Sequence, residues 1–130
     1  MSNTNQQASA LIRLEQVSRI YKVGNQSIRA LDEVDLDIHA GEFVAVMGRS
    51  GSGKSTMLNM LGCMDRPDSG SYSLDGKLVS DMNDDELSAV RNRYMGFVFQ
   101  SFHLLPRLTT LDNVLLPRRY HTDEIGRAHV

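Results

Sequence analysis

Within this 130-residue chain, the run Gly48-Arg49-Ser50-Gly51-Ser52-Gly53-Lys54-Ser55-Thr56 holds the residue types and spacing that could do chemistry. Gly48, Gly53, Lys54 and Ser55 fit the G-x-x-x-x-G-K-[ST] pattern of a phosphate-binding loop. Glycines let the backbone curl so that successive N–H groups face anionic oxygens, and a helix opening near Gly53 adds its positive N-terminal end. In such a cradle Lys54 reaches the β- and γ-phosphates as a point charge, the Ser55 hydroxyl ligates Mg²⁺, and Thr56 donates to the α-phosphate. The ligands expected are ATP and Mg²⁺. Arg49 could add charge near the phosphates, although a solvated loop arginine is the simpler reading. A glycine- and serine-rich turn can also be a plain connection, but Gly-Lys-Ser at this offset after an apolar run argues against that.

The elements that must position the loop are legible on either side of it. Phe43-Val44-Ala45-Val46-Met47 reads as a buried parallel strand delivering the chain to Gly48. Before it, residues 11–20 have strand-like spacing, and Val34, Leu36 and Ile38 alternate with Asp35, Asp37 and His39, so an antiparallel pair is expected with residues 21–24 in the connection. After the loop, Met57, Leu58, Met60, Leu61 and Met64 should line the buried side of a helix running to about Asp65, ahead of Pro67. Asp75-Gly76 suits a hairpin turn between strands at Tyr72 and Leu78, and Asn83 with Glu86 resembles a capping box opening a helix with Leu87, Val90 and Tyr94 inward. A second short buried strand is expected at Gly96-Phe97-Val98-Phe99, ending at Gln100. A last short helix around Leu111 has Thr110 as its expected N-cap.

Composition narrows the class. Hydrophobic residues make up 41% and charged ones 23%, as in globular proteins, and 14 basic against 16 acidic residues give a net charge of −2, so no global field favours nucleic acid or an anionic membrane. One cysteine, Cys63, cannot pair within the chain and is expected as a small packed side chain in a reducing cytosol. No apolar run approaches the length of a membrane span. Residues 1–10, rich in Ser, Asn, Thr and Gln, read as a disordered leader.

With Tyr21, the loop and Gln100 in this order, the chain resembles the ATP-binding subunit of an ABC transporter. Leu58-Asn59-Met60-Leu61-Gly62-Cys63-Met64-Asp65-Arg66-Pro67, Arg91-Asn92-Arg93 and Gly96-Phe97-Val98-Phe99-Gln100-Ser101-Phe102 are similar to the macrolide-exporter and lipoprotein-releasing branch, over about Leu11 to Tyr120. The resemblance implies an α/β P-loop NTPase (ABC ATPase) core with an N-terminal antiparallel β-subdomain. It implies that Tyr21 stacks on adenine and that Gly48, Arg49, Ser50, Gly51, Ser52, Gly53, Lys54, Ser55 and Thr56 hold the triphosphate. Lys54 and Gln100 would serve catalysis, and Ser55 and Gln100 would reach the Mg²⁺. It further implies a head-to-tail homodimer of ATP-binding subunits driving a separate or fused transmembrane permease at the cytoplasmic face of the bacterial inner membrane, with no nucleic acid partner. Arg49 and His103 depart from the family's usual proline and asparagine.

The family's Leu-Ser-Gly-Gly-Gln signature, Asp-Glu strand end and switch histidine are absent from this sequence. Residues 11–123 are therefore expected to be the N-terminal part of the domain, truncated before the signature motif and the magnesium-binding strand, able to bind ATP but not to hydrolyse it, and marginally folded because its sheet cannot close. Glu124 to Val130 does not resemble the family and reads as the translation of a common sequencing-library adapter. Other readings of the same cradle stay open: a P-loop kinase, a soluble ABC-type ATPase acting on nucleic acid, or a regulatory nucleotide-binding module.

Overall fold

The computed structural model describes residues 9–120, so most of the expected leader and all of segment 124–130 lie outside the described residues. Two compact units divide the chain between Met82 and Asn83. In the first, β1 (Ile12–Val23) and β2 (Gln26–Ile38) pair antiparallel out to Val23 and Gln26, leaving Gly24-Asn25 as the turn. Gly24 has φ 60, the left-handed conformation a type II′ turn asks of its first central residue. Tyr21 to Val23 thus belong to β1 and not to the connection, because the ladder continues to the last pair before the turn.

β1 is the centre of the sheet. β3 (Ser69–Leu74) joins its other edge and β4 (Lys77–Leu78) joins β3, giving the order β2-β1-β3-β4. The β3–β4 turn is Asp75-Gly76, with φ 50 and 77, the paired left-handed geometry expected of Asp-Gly. A bulge interrupts β1 at Gln16, whose φ is 52. The extra residue shifts the inward positions from Leu14 to Val17, and both side chains are buried. Asp35 secures the bulge by accepting from the Gln16 amide at 2.8 Å and from its side-chain Nε2 at 3.0 Å.

The helix after the glycine-rich loop, α1 (Lys54–Leu61), is shorter than its sequence indicates. Gly62 donates to Leu58 and Cys63 to Met60, and Cys63 then turns left-handed at φ 55, so the helix stops ahead of Pro67 for its own reasons. Met60 is fully buried, whereas Leu58 and Met64, expected inward, are exposed. Cys63 is buried as expected and lies beside Tyr72, whose hydroxyl donates to the Leu61 carbonyl at 2.7 Å. That bond ties β3 to the end of α1.

In the second unit, α2 (Asp84–Tyr94) opens on the expected capping box: the Glu86 amide donates to Asn83 Oδ1 at 2.9 Å, and the Asn83 amide donates to Glu86 Oε2 at 3.4 Å. Leu87 and Val90 are buried, while Tyr94 is exposed with the Arg93 guanidinium 5.5 Å from its ring centroid. α3 (Thr110–Leu115) is capped by Thr109, not Thr110: the Asp112 amide donates to Thr109 Oγ1 at 3.1 Å. A 3₁₀ turn covers Leu116–Tyr120.

The two apolar runs expected as buried parallel strands are not strands here. Among the described residues Phe43 to Met47 and Gly96 to Phe99 join no strand ladder, and Phe43 and Val98 stand 98% and 102% exposed. A parallel strand takes its hydrogen bonds from neighbours reached through long crossovers, and no such neighbour occurs among the described residues. The antiparallel subdomain, by contrast, is complete from local hairpins and one further pairing.

Burial pushes the Tyr72 phenol well above its ordinary pKa, and Cys63 adds to the shift. The folded state therefore holds the phenolic proton more tightly than the unfolded state, so this contribution is full below the ordinary value of 10.0 and declines as pH rises past it. Tyr72→Phe, which keeps the ring but leaves the Leu61 carbonyl without its donor, should lower the unfolding free energy by about 1–3 kcal/mol in urea titrations at neutral pH. It should also remove the alkaline decline.

Candidate functional site

Gly53 begins the site. Its φ of 96 lies in the left-handed region, and a Cβ there would stand 2.5 Å from the Ala30 carbonyl oxygen. Only glycine brings the loop this close to β2. The chain then enters α1 with the Met57 amide donating to the Gly53 carbonyl at 2.9 Å. No side chain caps this helix, and its first turn carries no acidic residue. α2 shows the opposite arrangement, with an Asn83 cap and Asp84, Asp85 and Glu86 in its first turn. The amides at the start of α1 thus keep their affinity for an outside anion.

The loop folds around its own lysine. Lys54 Nζ donates to the Gly48 carbonyl, and the Ser52 amide donates to the Arg49 carbonyl at 3.1 Å. Gly48 and Arg49 therefore contribute through their backbone, and the exposed Arg49 side chain is not part of the cavity wall. Ser50, Gly51, Ser52, Gly53, Lys54, Ser55 and Thr56 line a cavity of about 400 Å³ together with Tyr21, Ile28, Arg29 and Ala30. Arg29 is engaged by Asp32 at 2.8 Å, which offsets its charge and leaves Lys54 as the cation at the heart of the loop.

Tyr21 is held at its hydroxyl and on one ring face. Its hydroxyl donates to Asp65 Oδ2 at 2.8 Å, and the Arg19 guanidinium carbon lies 4.7 Å from the ring centroid. Arg19 Nε donates to the same Asp65 oxygen at 2.9 Å, and a second nitrogen reaches Asp68 Oδ1 at 3.1 Å. Partial burial works against the Asp65 carboxylate, but the Tyr21 hydroxyl, the Arg66 amide and Arg19 together hold its pKa below the ordinary range. Ser55 offers the cavity one neutral oxygen. That donor fits Mg²⁺, a metal that takes few protein ligands and completes its shell with phosphate oxygens and water.

A family model for ABC transporters matches residues 31–129. The chain belongs to the ABC transporter family. It is 54% identical over 110 residues to the uncharacterized ABC transporter ATP-binding protein YknY of Bacillus subtilis (strain 168), covering 85% of this chain and 48% of YknY. To the macrolide export ATP-binding/permease protein MacB of Chlorobaculum tepidum it is 56% identical over 110 residues, covering 85% of this chain and 17% of MacB. Among solved structures, a dimeric form of the ATP-binding cassette MJ0796, described as a post-hydrolysis state bound to ADP and Pi, superposes with a TM-score of 0.79 at 50% identity. That match covers 84% of this chain and 47% of the cassette. The chain therefore spans about half the length of YknY and of the MJ0796 cassette.

In this ABC transporter chain the structure unites Tyr21 with the loop, although they are far apart in sequence. Gln100 falls in the second unit, exposed, and no strand delivers it. Ile28, Arg29 and Ala30 were not anticipated in the wall. The signal for Ile28 is the pairing Tyr21↔Ile28, which follows once the turn is placed at Gly24-Asn25. Asp65 and Arg19 were not anticipated either, because their link to Tyr21 crosses from β1 to the segment beyond α1.

Gly53→Ala should destabilise the first unit by about 2 kcal/mol or more, combining left-handed strain with the Ala30 clash, as read by urea unfolding. Because the folded-state pKa of Asp65 is depressed, its stabilisation is present above the ordinary value of 3.8 and lost as pH falls through the lower folded value. Asp65→Asn should accordingly flatten the acid side of the stability curve below about pH 4 when thermal midpoints are compared across pH.

Proposed function

We propose that this chain is the nucleotide-holding part, over residues 11–123, of an ABC transporter ATPase whose complete protein couples ATP binding and hydrolysis to export or lipoprotein release through a transmembrane permease. The observation that carries this reading is the cavity shared by Tyr21 and the loop Ser50 to Thr56, at the uncapped N-terminus of α1. A purine and a triphosphate need an aromatic plane beside an anion cradle, and these two walls supply them.

In this reading Tyr21 stacks on the adenine while the amides from Ser50 to Thr56 surround the phosphates. Lys54, placed at the heart of the loop beside the Gly48 carbonyl, reaches the β- and γ-phosphate oxygens. Ser55 would hold Mg²⁺ from the loop, and by the family resemblance Gln100 would reach the metal and the attacking water in the complete protein; the metal would neutralise charge on the terminal phosphates. Residues 1–130 alone bind ATP without hydrolysing it, since they carry no Asp-Glu pair after an apolar strand. The exporter assignment draws on the similarity to MacB, and a head-to-tail dimer of ATP-binding subunits draws on the dimeric MJ0796 cassette. The complete protein works at the cytoplasmic face of the bacterial inner membrane beside a separate or fused permease.

Lys54→Ala in the full-length protein should weaken Mg-ATP at least about tenfold in equilibrium titrations, with the thermal midpoint of the unliganded protein little changed. Undiminished affinity in the folded variant would overturn the assignment.

A further inference from the structure

We infer that Asp65 and Arg19 are positioning residues that set the plane of the Tyr21 ring for an aromatic base, so that this protein favours a nucleoside triphosphate over bare triphosphate. The inference rests on the nucleotide-binding reading above and goes beyond it by naming what orients the base-binding ring.

The geometry is economical in atoms. One oxygen, Asp65 Oδ2, accepts both the Tyr21 hydroxyl at 2.8 Å and Arg19 Nε at 2.9 Å. The other, Oδ1, accepts the Arg66 amide at 2.8 Å, which fixes the carboxylate to its own backbone. Arg19 is fixed in turn by Asp68 Oδ1 at 3.1 Å. Asp68 is clamped to β1 from two sides: its Oδ2 accepts the Ile20 amide at 2.6 Å, and its own amide donates to the Ser18 carbonyl at 2.9 Å. The Arg19 and Asp65 side chains are only 25% and 22% exposed, so solvent screens the pair less than it would a surface ion pair.

Each bond removes a freedom that Tyr21 would otherwise have. A tyrosine has two rotatable side-chain bonds; anchoring its hydroxyl fixes the first, but that oxygen lies on the axis of the second, so the turn of the ring plane is set by the contact on its face. The Arg19 guanidinium, 4.7 Å from the ring centroid, then takes up one π-face by a cation–π contact. The ring also borders the cavity that holds Lys54, Ser55 and Thr56. An oriented aromatic plane with one face already taken, at the edge of an anion cradle, suits a flat base joined to a phosphate chain. Binding then loses little side-chain entropy on the ring.

The test titrates Mg-ATP and Mg-tripolyphosphate into the full-length protein and its variants. Tyr21→Phe, which deletes the anchored hydroxyl and keeps the stacking ring, should weaken Mg-ATP about fivefold and leave Mg-tripolyphosphate unchanged. Asp65→Ala should show the same selectivity. The double variant should lose no more than Asp65→Ala alone, because both changes break one bond. If Asp65→Ala fails to fold, Tyr21→Phe decides the matter. Wild-type Mg-ATP affinity in Tyr21→Phe, or equal weakening of both ligands, overturns the inference and leaves the nucleotide reading standing. Lys54→Ala is the control for that reading: it should weaken both ligands, and if it weakens neither, the cradle itself is wrong and the inference falls with it.

Discussion

Gly53 lies against the Ala30 carbonyl oxygen at a distance no side chain could tolerate, with its backbone in the left-handed region. Much of the first unit follows from that approach. It sets where α1 begins, which of its amides are left without intrahelical partners, and how far Lys54 must reach to find an acceptor in Gly48. It also explains why β2 contributes Ile28, Arg29 and Ala30 to the cavity wall. A helix start pressed against a strand edge makes a concave surface, while the same loop in solvent would make only a flexible turn.

The other end of α1 is fixed as well, by different chemistry. Tyr72 reaches from β3 to the Leu61 carbonyl, and beyond Cys63 the chain presents Asp65 and Asp68 to Arg19, Ile20 and Tyr21 of β1. α1 is therefore bound to the sheet by steric fit at its N-terminus and by charged hydrogen bonds past its C-terminus. The second set is partly shielded from water, so it depends less on ionic strength than exposed pairs such as Arg13 with Asp37. The consequence for the site is that the aromatic wall and the anion cradle are held by one short helix. A displacement of α1 would move both.

Features resting on neighbours in sequence are legible in it. The Asp75-Gly76 turn, the Asn83–Glu86 capping box and the alternation along Val34, Leu36 and Ile38 each depend on residues within a few positions of one another. The spacing carries the helix on to about Asp65, whereas it ends at Leu61, because the left-handed turn at Cys63 is stabilised by burial beside Tyr72, a contact with no local signature. The sequence does not separate Thr109 from Thr110, because both hydroxyls suit an N-cap and only the backbone direction decides which of them meets Asp112. The runs Phe43 to Met47 and Gly96 to Phe99 carry the composition of buried strands, yet composition records what a segment needs and not whether its partners are at hand.

The sequence by itself determined the glycine-rich loop with its Lys-Ser pair and the antiparallel character of the sheet. These are written in residue type and spacing, which local sterics and hydrogen bonding translate directly. Only the tertiary structure decided that Tyr21 is in a strand, that Ile28 sits beside it, and that Asp65 and Arg19 hold its ring. It also decided that the Gly48 and Arg49 carbonyls accept hydrogen bonds within the loop. The reason is that these relations join positions brought near by a hairpin register and by the packing of α1, and a register is a global choice among pairings that each residue tolerates equally well.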